Sequence, residues 1–111
     1  MGEDLPIHDK AAALASTGGD AELAEILLET CVEETPKLIQ EAREAVTKND
    51  FVTARRCGHS LKSSFGVIGA LDAAAESEKL EFSQSDDADV IRKAIDVVDQ
   101  AYKKLTDQIV P

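Results

Sequence analysis

His59 has the most reactive setting in this sequence. Arg55 precedes it by four residues, Lys62 and Ser63 follow it by three and four, and Gly66 lies a further turn along. At roughly 100° per residue these positions share one helical face, opposite an apolar stripe of Phe51, Ala54, Leu61 and Phe65. The imidazole is therefore expected to point to water. A ring set between two cations accepts an anion, and the cations disfavour imidazolium, which keeps the ring neutral and nucleophilic near pH 7. Phosphoryl transfer to nitrogen asks for in-line access and positive charge near the equatorial oxygens, and this face supplies both. A surface histidine beside basic residues also arises in proteins that do no chemistry, so the constellation alone leaves that alternative open.

The surrounding sequence narrows the choices. Residues 51–71 hold three of the chain's 12 basic residues and none of its 22 acidic ones, a basic island in a chain of formal charge -10. That net charge repels phosphate backbones and anionic lipid, so neither nucleic acid nor a membrane surface is expected as a partner. There is no Gly-rich phosphate loop with its Lys, no His-Glu-x-x-His helix and no Gly-x-Ser-x-Gly elbow, which argues against an autonomous ATP-using enzyme. The acidic pairs Glu33-Glu34 and Asp86-Asp87 read as a solvated face and a helix start, and no metal site is expected. Cys31 and Cys57 lack metal-site spacing and are too few for a disulfide framework, so they read as small buried apolar residues. His8, in an N-terminal segment that frays easily, reads as solvated.

The elements that must carry His59 are helices. A chain of 111 residues with 43% hydrophobic content, three Phe, one Tyr, no Trp and three Pro suits a single all-α domain spanning residues 1–111. Asp9 caps a short helix over Lys10 to Ala15, stopped by Ser16-Thr17-Gly18-Gly19. Asp20 caps a long one to about Lys48, with Leu23, Ile26, Leu27, Cys31, Leu38, Ala42, Ala45 and Val46 at helical spacing. Pro36 lies inside it and is expected to kink or break the helix near residues 32–36, because it removes a donor and crowds the carbonyl of Val32. Asn49-Asp50 starts the His59 helix, Gly69-Ala70 turns the chain into a helix over Leu71 to Ser83, and a last helix runs from about Asp87 to Ile109. That last helix is read as burying Val90, Ile91, Ala94, Ile95, Val98, Ala101, Tyr102 and Leu105. Four such amphipathic helices on short loops predict an antiparallel four-helix bundle, with the short extra N-terminal helix across one end. No run is apolar enough to span a bilayer, and Pro6 breaks the myristoylation pattern that Met1-Gly2 begins, so a cytoplasmic location is expected.

The segment Gly58-His59-Ser60-Leu61-Lys62-Ser63-Ser64-Phe65-Gly66-Val67-Ile68-Gly69-Ala70 resembles the signature of histidine phosphotransfer (HPt) domains: Ala-His-x-Leu-Lys-Gly, four variable residues, Leu or Ile, then Gly-Ala. Gly18-Gly19-Asp20, Glu34-Thr35-Pro36, Asn49-Asp50 and Lys79-Leu80-Glu81 also resemble that family, and the likeness covers about residues 5–83. The resemblance implies a phosphorelay carrier without kinase activity of its own. It would take a phosphoryl group from an aspartyl phosphate on a response-regulator receiver domain and pass it to another receiver. By position, His59 would be the phosphoacceptor, Lys62 the cation supporting the phosphoryl group, and Gly66 part of the docking surface. Arg55, Ser63 and the exposed apolar positions Val52 and Val67 would complete that surface. The resemblance implies no cofactor on this chain, since the Mg²⁺ belongs to the receiver. The upstream partner would be a hybrid sensor histidine kinase, in the same parent chain or separate, and a monomer is expected because transfer needs the His59 face free.

Two departures from the family pattern bear on function. Ser63 replaces the usual Gly after the Lys, where its hydroxyl either obstructs a receiver or donates to a phosphoryl oxygen. Gly58 replaces the usual Ala on the core side, at an expected cost of about 1 kcal/mol of helix stability, so Gly58→Ala is expected to raise the melting temperature. Three other readings compete: a domain phosphorylated directly by a kinase active site, a degenerate HPt-like interaction module that docks receivers without transfer, and a small-molecule or haem binder using His59, against which a solvent-facing ring without a visible apolar cavity argues.

Overall fold

The computed structural model describes residues 4–109; the Met1-Gly2 pair and the Val110-Pro111 end lie outside them. Among the described residues the regular elements are five helices: α1 (Lys10–Ser16), α2 (Ala21–Thr47), α3 (Phe51–Val67), α4 (Leu71–Glu81) and α5 (Ala88–Ile109). Each of α2 to α5 packs on the next, and α5 returns to α2, so the four close into an antiparallel ring, while α1 leans on α2 and α3. The caps follow sequence logic. Asp9, Asp20 and Asp50 accept hydrogen bonds from the amides of Ala12, Leu23 and Thr53 at 3.0, 3.0 and 3.1 Å, each satisfying a donor that the first helical turn leaves free. The Asp87 carboxylate accepts from Asp89 N at 2.8 Å and opens α5 in the same manner.

The core is built from the expected stripes. Ala54, Cys57, Leu61, Phe65 and Ile68 from the α3 end meet Ile39, Ala42 and Val46 of α2, Ala73 and Leu80 of α4, and Ile91, Ile95, Val98 and Leu105 of α5. Cys31 and Cys57 are buried free thiols, and burial followed by the Glu41 carboxylate pushes the Cys57 thiol up to about 11. Three apolar positions read as core are instead exposed: Leu23, Ile26 and Val90. At 1.5 Å per residue the 27-residue α2 is about 40 Å long against about 26 Å for α3. Its first turns thus extend past α3, and α1 packs against α2 there.

Pro36 does not break α2, which runs unbroken from Ala21 to Thr47. The carbonyl that Pro36 leaves without a donor is that of Val32, and the Tyr102 hydroxyl on α5 donates to it at 2.7 Å. A side-chain donor on the neighbouring helix stands where the amide is missing, and the helix continues through the proline without a break. The helix read as about Leu71 to Ser83 stops at Glu81, and beyond it the Arg55 guanidinium holds the carbonyls of Ser83 and Ser85 at 3.5 and 3.3 Å.

The N-terminal segment is strapped down. Asp9 N donates to Gly69 O at 2.8 Å and Asp72 N donates to Pro6 O at 2.9 Å, which binds the segment across the turn between α3 and α4. Gly69 has φ 74°, and a Cβ there would fall 2.1 Å from the Asp9 carbonyl oxygen, so both backbone conformation and the strap require glycine. His8 is accordingly half-buried beside Ile68 and not free in solvent; burial, then Lys10, hold its ring below the ordinary histidine value.

Candidate functional site

The Asp50 cap and the buried stripe fix the rotation of α3, and the rotation fixes what the outer face presents. His59 is 60% exposed at its side chain, as a residue two positions from Leu61 and two from Cys57 must be when both of those are buried. A shallow hollow around it is lined by Val52, Arg55, Arg56 and Glu81. Val52 is 61% exposed and Val67 40%. Ser63 is exposed at one turn from His59, and Gly66, one turn further, has nothing within 4 Å of where a Cβ would stand.

The immediate neighbour of the imidazole is a carboxylate, which overturns the expectation that bare cations set the ring's state. His59 Nδ1 lies 2.6 Å from Glu81 Oε2. The other oxygen, Oε1, faces Lys62 Nζ at 2.8 Å, an ion pair, so one carboxylate of 15% exposure bridges both residues. The Lys62 ammonium, and then His59, hold the Glu81 carboxyl below its usual range, so it is ionised at neutral pH and can only accept. The proton of the 2.6 Å contact therefore resides on Nδ1. In a neutral ring that arrangement leaves the lone pair on Nε2.

The two cations differ in how far they are committed. Lys62 also lies 3.9 Å from Glu78 and 5.0 Å above the Phe82 ring, and its side chain is 28% exposed. It covers the exposed Phe82 through a cation–π contact. Arg55 is more deeply held. Its guanidinium spans the carbonyls of Ser83 and Ser85 and meets Asp86 at 3.4 Å, anchoring the segment that follows α4.

Glu81 was not read as a site residue from the sequence, although Lys79-Leu80-Glu81 was among the landmarks. Its signal is indirect: Leu80 is fully buried, which turns the residue beside it toward the α3 flank, 22 positions from His59 in sequence. Gly58 is also corrected. A Cβ there would lie 2.8 Å from Glu81 N and 3.0 Å from both Leu80 Cγ and Ser77 O. The position is one of close helix contact, and the gain in helix propensity from Gly58→Ala is outweighed by overpacking of about 1–3 kcal/mol. The variant is therefore expected to lower the melting temperature, the reverse of the sequence expectation.

The histidine, its carboxylate and its lysine form one linked cluster on the outer face of a closed helical bundle. A model of the family described as Hpt domain matches residues 26–108. The curated proteins and the solved structures returned no match. Hpt domains are phosphocarriers of two-component signalling that interact with response-regulator receivers, and they are not kinases. With its bundle, its outward-facing histidine and a match over most of its length, this chain belongs to the Hpt domain family.

Proposed function

We propose that His59 accepts a phosphoryl group from the aspartyl phosphate of a response-regulator receiver domain and relays it to another receiver. The observation that carries the reading is the Glu81 bridge, which holds the proton on Nδ1 at 2.6 Å and leaves Nε2 open on an exposed ring. In the forward step the Nε2–P bond forms as the acyl phosphate P–O bond breaks, and the electron pair returns to the receiver as its carboxylate. The imidazole gains positive character as it binds phosphorus, and the Glu81 carboxylate at Nδ1 stabilises that charge where it develops. Lys62 leaves Glu81 to meet the equatorial oxygens of the phosphoryl group. Passage to a second receiver reverses the same bond changes. Mg²⁺ is supplied by the receiver in this reading, and this chain brings no cofactor of its own.

Docking uses the face around the ring. Val52 supplies apolar contact, Ser63 meets the phosphoryl oxygens or the receiver's loops, and Arg55 holds the rim formed by residues 83–86. Gly66 has open space around it, so packing within this chain does not account for a missing side chain there, whereas close approach of a partner backbone does. The chain acts as a monomer, fed by a hybrid sensor kinase, since a second copy over His59 would block the ring.

The test is transfer from a phosphorylated receiver to this chain and to His59→Gln. Acid-labile, base-stable label on the first and none on the second supports the carrier. Docking without label on either makes the chain a binding module, and label that persists in His59→Gln places the acceptor elsewhere.

A further inference from the structure

Glycine at position 58 has a consequence for the site as well as for packing. Of the three atoms that a Cβ would crowd, two are backbone atoms of α4: Glu81 N at 2.8 Å and Ser77 O at 3.0 Å. These are the donor and acceptor positions of a single helical turn, so the last turn of α4 rests directly on the bare Cα of Gly58. The residue whose amide touches Gly58 is Glu81, and the residue after Gly58 is His59. The seat and the carboxylate–imidazole contact thus share both of their helices at the same level. Arg55, one turn earlier on α3, holds the chain just beyond this turn through Ser83 and Ser85. The end of α4 is therefore fixed from below by Gly58 and from beyond by Arg55.

We propose that Gly58 is a positioning residue for phosphoryl transfer: by admitting the α4 backbone onto α3 it sets the reach of Glu81 to His59 Nδ1, and through it the tautomer that exposes Nε2. The inference rests on the reading of His59 as the phosphoryl acceptor. An ordinary Cβ contact begins near 3.4 Å, so a methyl group at position 58 moves the Glu81 backbone outward by about 0.6 Å. A hydrogen bond of 2.6 Å with its second oxygen tied to Lys62 at 2.8 Å has little slack to absorb that shift. Alanine at this position, which the family usually carries, demands a wider spacing of the two helices than this chain adopts.

The experiment compares Gly58→Ala, Glu81→Ala and the double variant with the unchanged chain. The ¹⁵N shifts of the His59 ring report the tautomer, and transfer from a phosphorylated receiver reports the rate. The expected result is a ring locked with its proton on Nδ1 in the unchanged chain and a mixture of tautomers in Gly58→Ala. Its acceptance rate falls by about five- to tenfold, a loss typical of misplacing a reacting group. In the Glu81→Ala background Gly58→Ala causes no further loss. A folded Gly58→Ala chain that retains the Nδ1 tautomer, or an equal loss with and without Glu81, overturns the proposal. Glu81→Asp withdraws the carboxylate by one methylene without adding an atom between the helices. It must loosen the tautomer in the same way, and if it leaves tautomer and rate unchanged the proposal fails even where Gly58→Ala does not fold. The ring shifts need no receiver, so absence of transfer in the unchanged chain refutes the carrier reading while the tautomer comparison still decides the role of Gly58.

Discussion

At the scale of single residues, the Glu81 carboxylate does two jobs that substitution separates. In the proposed relay, Glu81→Ala removes both the acceptor for Nδ1 and the charge that would stabilise a phosphorylated ring, and the rate of phosphoryl acceptance is expected to fall about tenfold to a hundredfold. Glu81→Gln keeps an oxygen able to accept from Nδ1 and loses only the charge, so it retains more activity than Glu81→Ala; stopped-flow transfer from one receiver orders the three proteins. The Lys62–Glu81 pair also has a defined pH response. The carboxyl lies below its ordinary 4.5 in the folded chain, so the contact's contribution is complete above that value and is lost as pH falls through the lower folded one. The His59 face was legible in sequence because residues three and four apart on a helix share a side whatever the rest of the fold does. Glu81 was not, because its place depends on the register between α3 and α4. A glycine and a buried leucine meet at that register, in contacts that no spacing rule contains.

At the scale of elements, proline inside α2 is the informative case. The sequence reading put a kink or a break where Val32 loses its donor, and local chemistry alone supports that. The helix does not break there, and Tyr102, 70 residues away in sequence, donates to the orphaned carbonyl. Tyr102→Phe is expected to cost about 1 kcal/mol, the worth of a partly buried hydrogen bond whose loss leaves an acceptor unpaired. In a Pro36→Ala background, where residue 36 regains an amide for Val32, the same substitution is expected to cost much less, and urea unfolding of the four proteins closes the cycle. The capped starts of α1 to α3 were legible to the residue because Asp caps act locally. The end of α4 lies two residues before the expected one, and the chain beyond it is held by Arg55 from another helix, a contact no local rule contains.

At the scale of the whole molecule, the bundle was legible from four amphipathic segments on short loops, and the N-terminal strap was not. Sequence treats residues 5–9 as a fraying end, whereas backbone pairing with Gly69 and Asp72 makes them part of the fold. His8 gives that strap a pH dependence. Its folded value is depressed below 6.5 by burial and Lys10, so the folded chain binds this proton less readily than the unfolded one. Stability from His8 is therefore present above 6.5 and declines as pH falls through the folded value. Thermal melts across mildly acid pH should show the decline, and His8→Gln should flatten it. The strap and the α2 overhang lie toward the end of α3 beyond Gly66, while Gly58, Glu81 and Arg55 gather at the level of the reactive ring, so scaffold and site are separable by mutation.

The most direct test of the account is the ring position of the phosphoryl group after transfer from a receiver. Two-dimensional ¹H–¹⁵N and ³¹P spectra of the freshly phosphorylated chain distinguish the two nitrogens. The account predicts phosphorus on Nε2 of His59, with Nδ1 still protonated against Glu81. Phosphorus on Nδ1 would contradict it, because that atom is the one the structure holds in a 2.6 Å hydrogen bond.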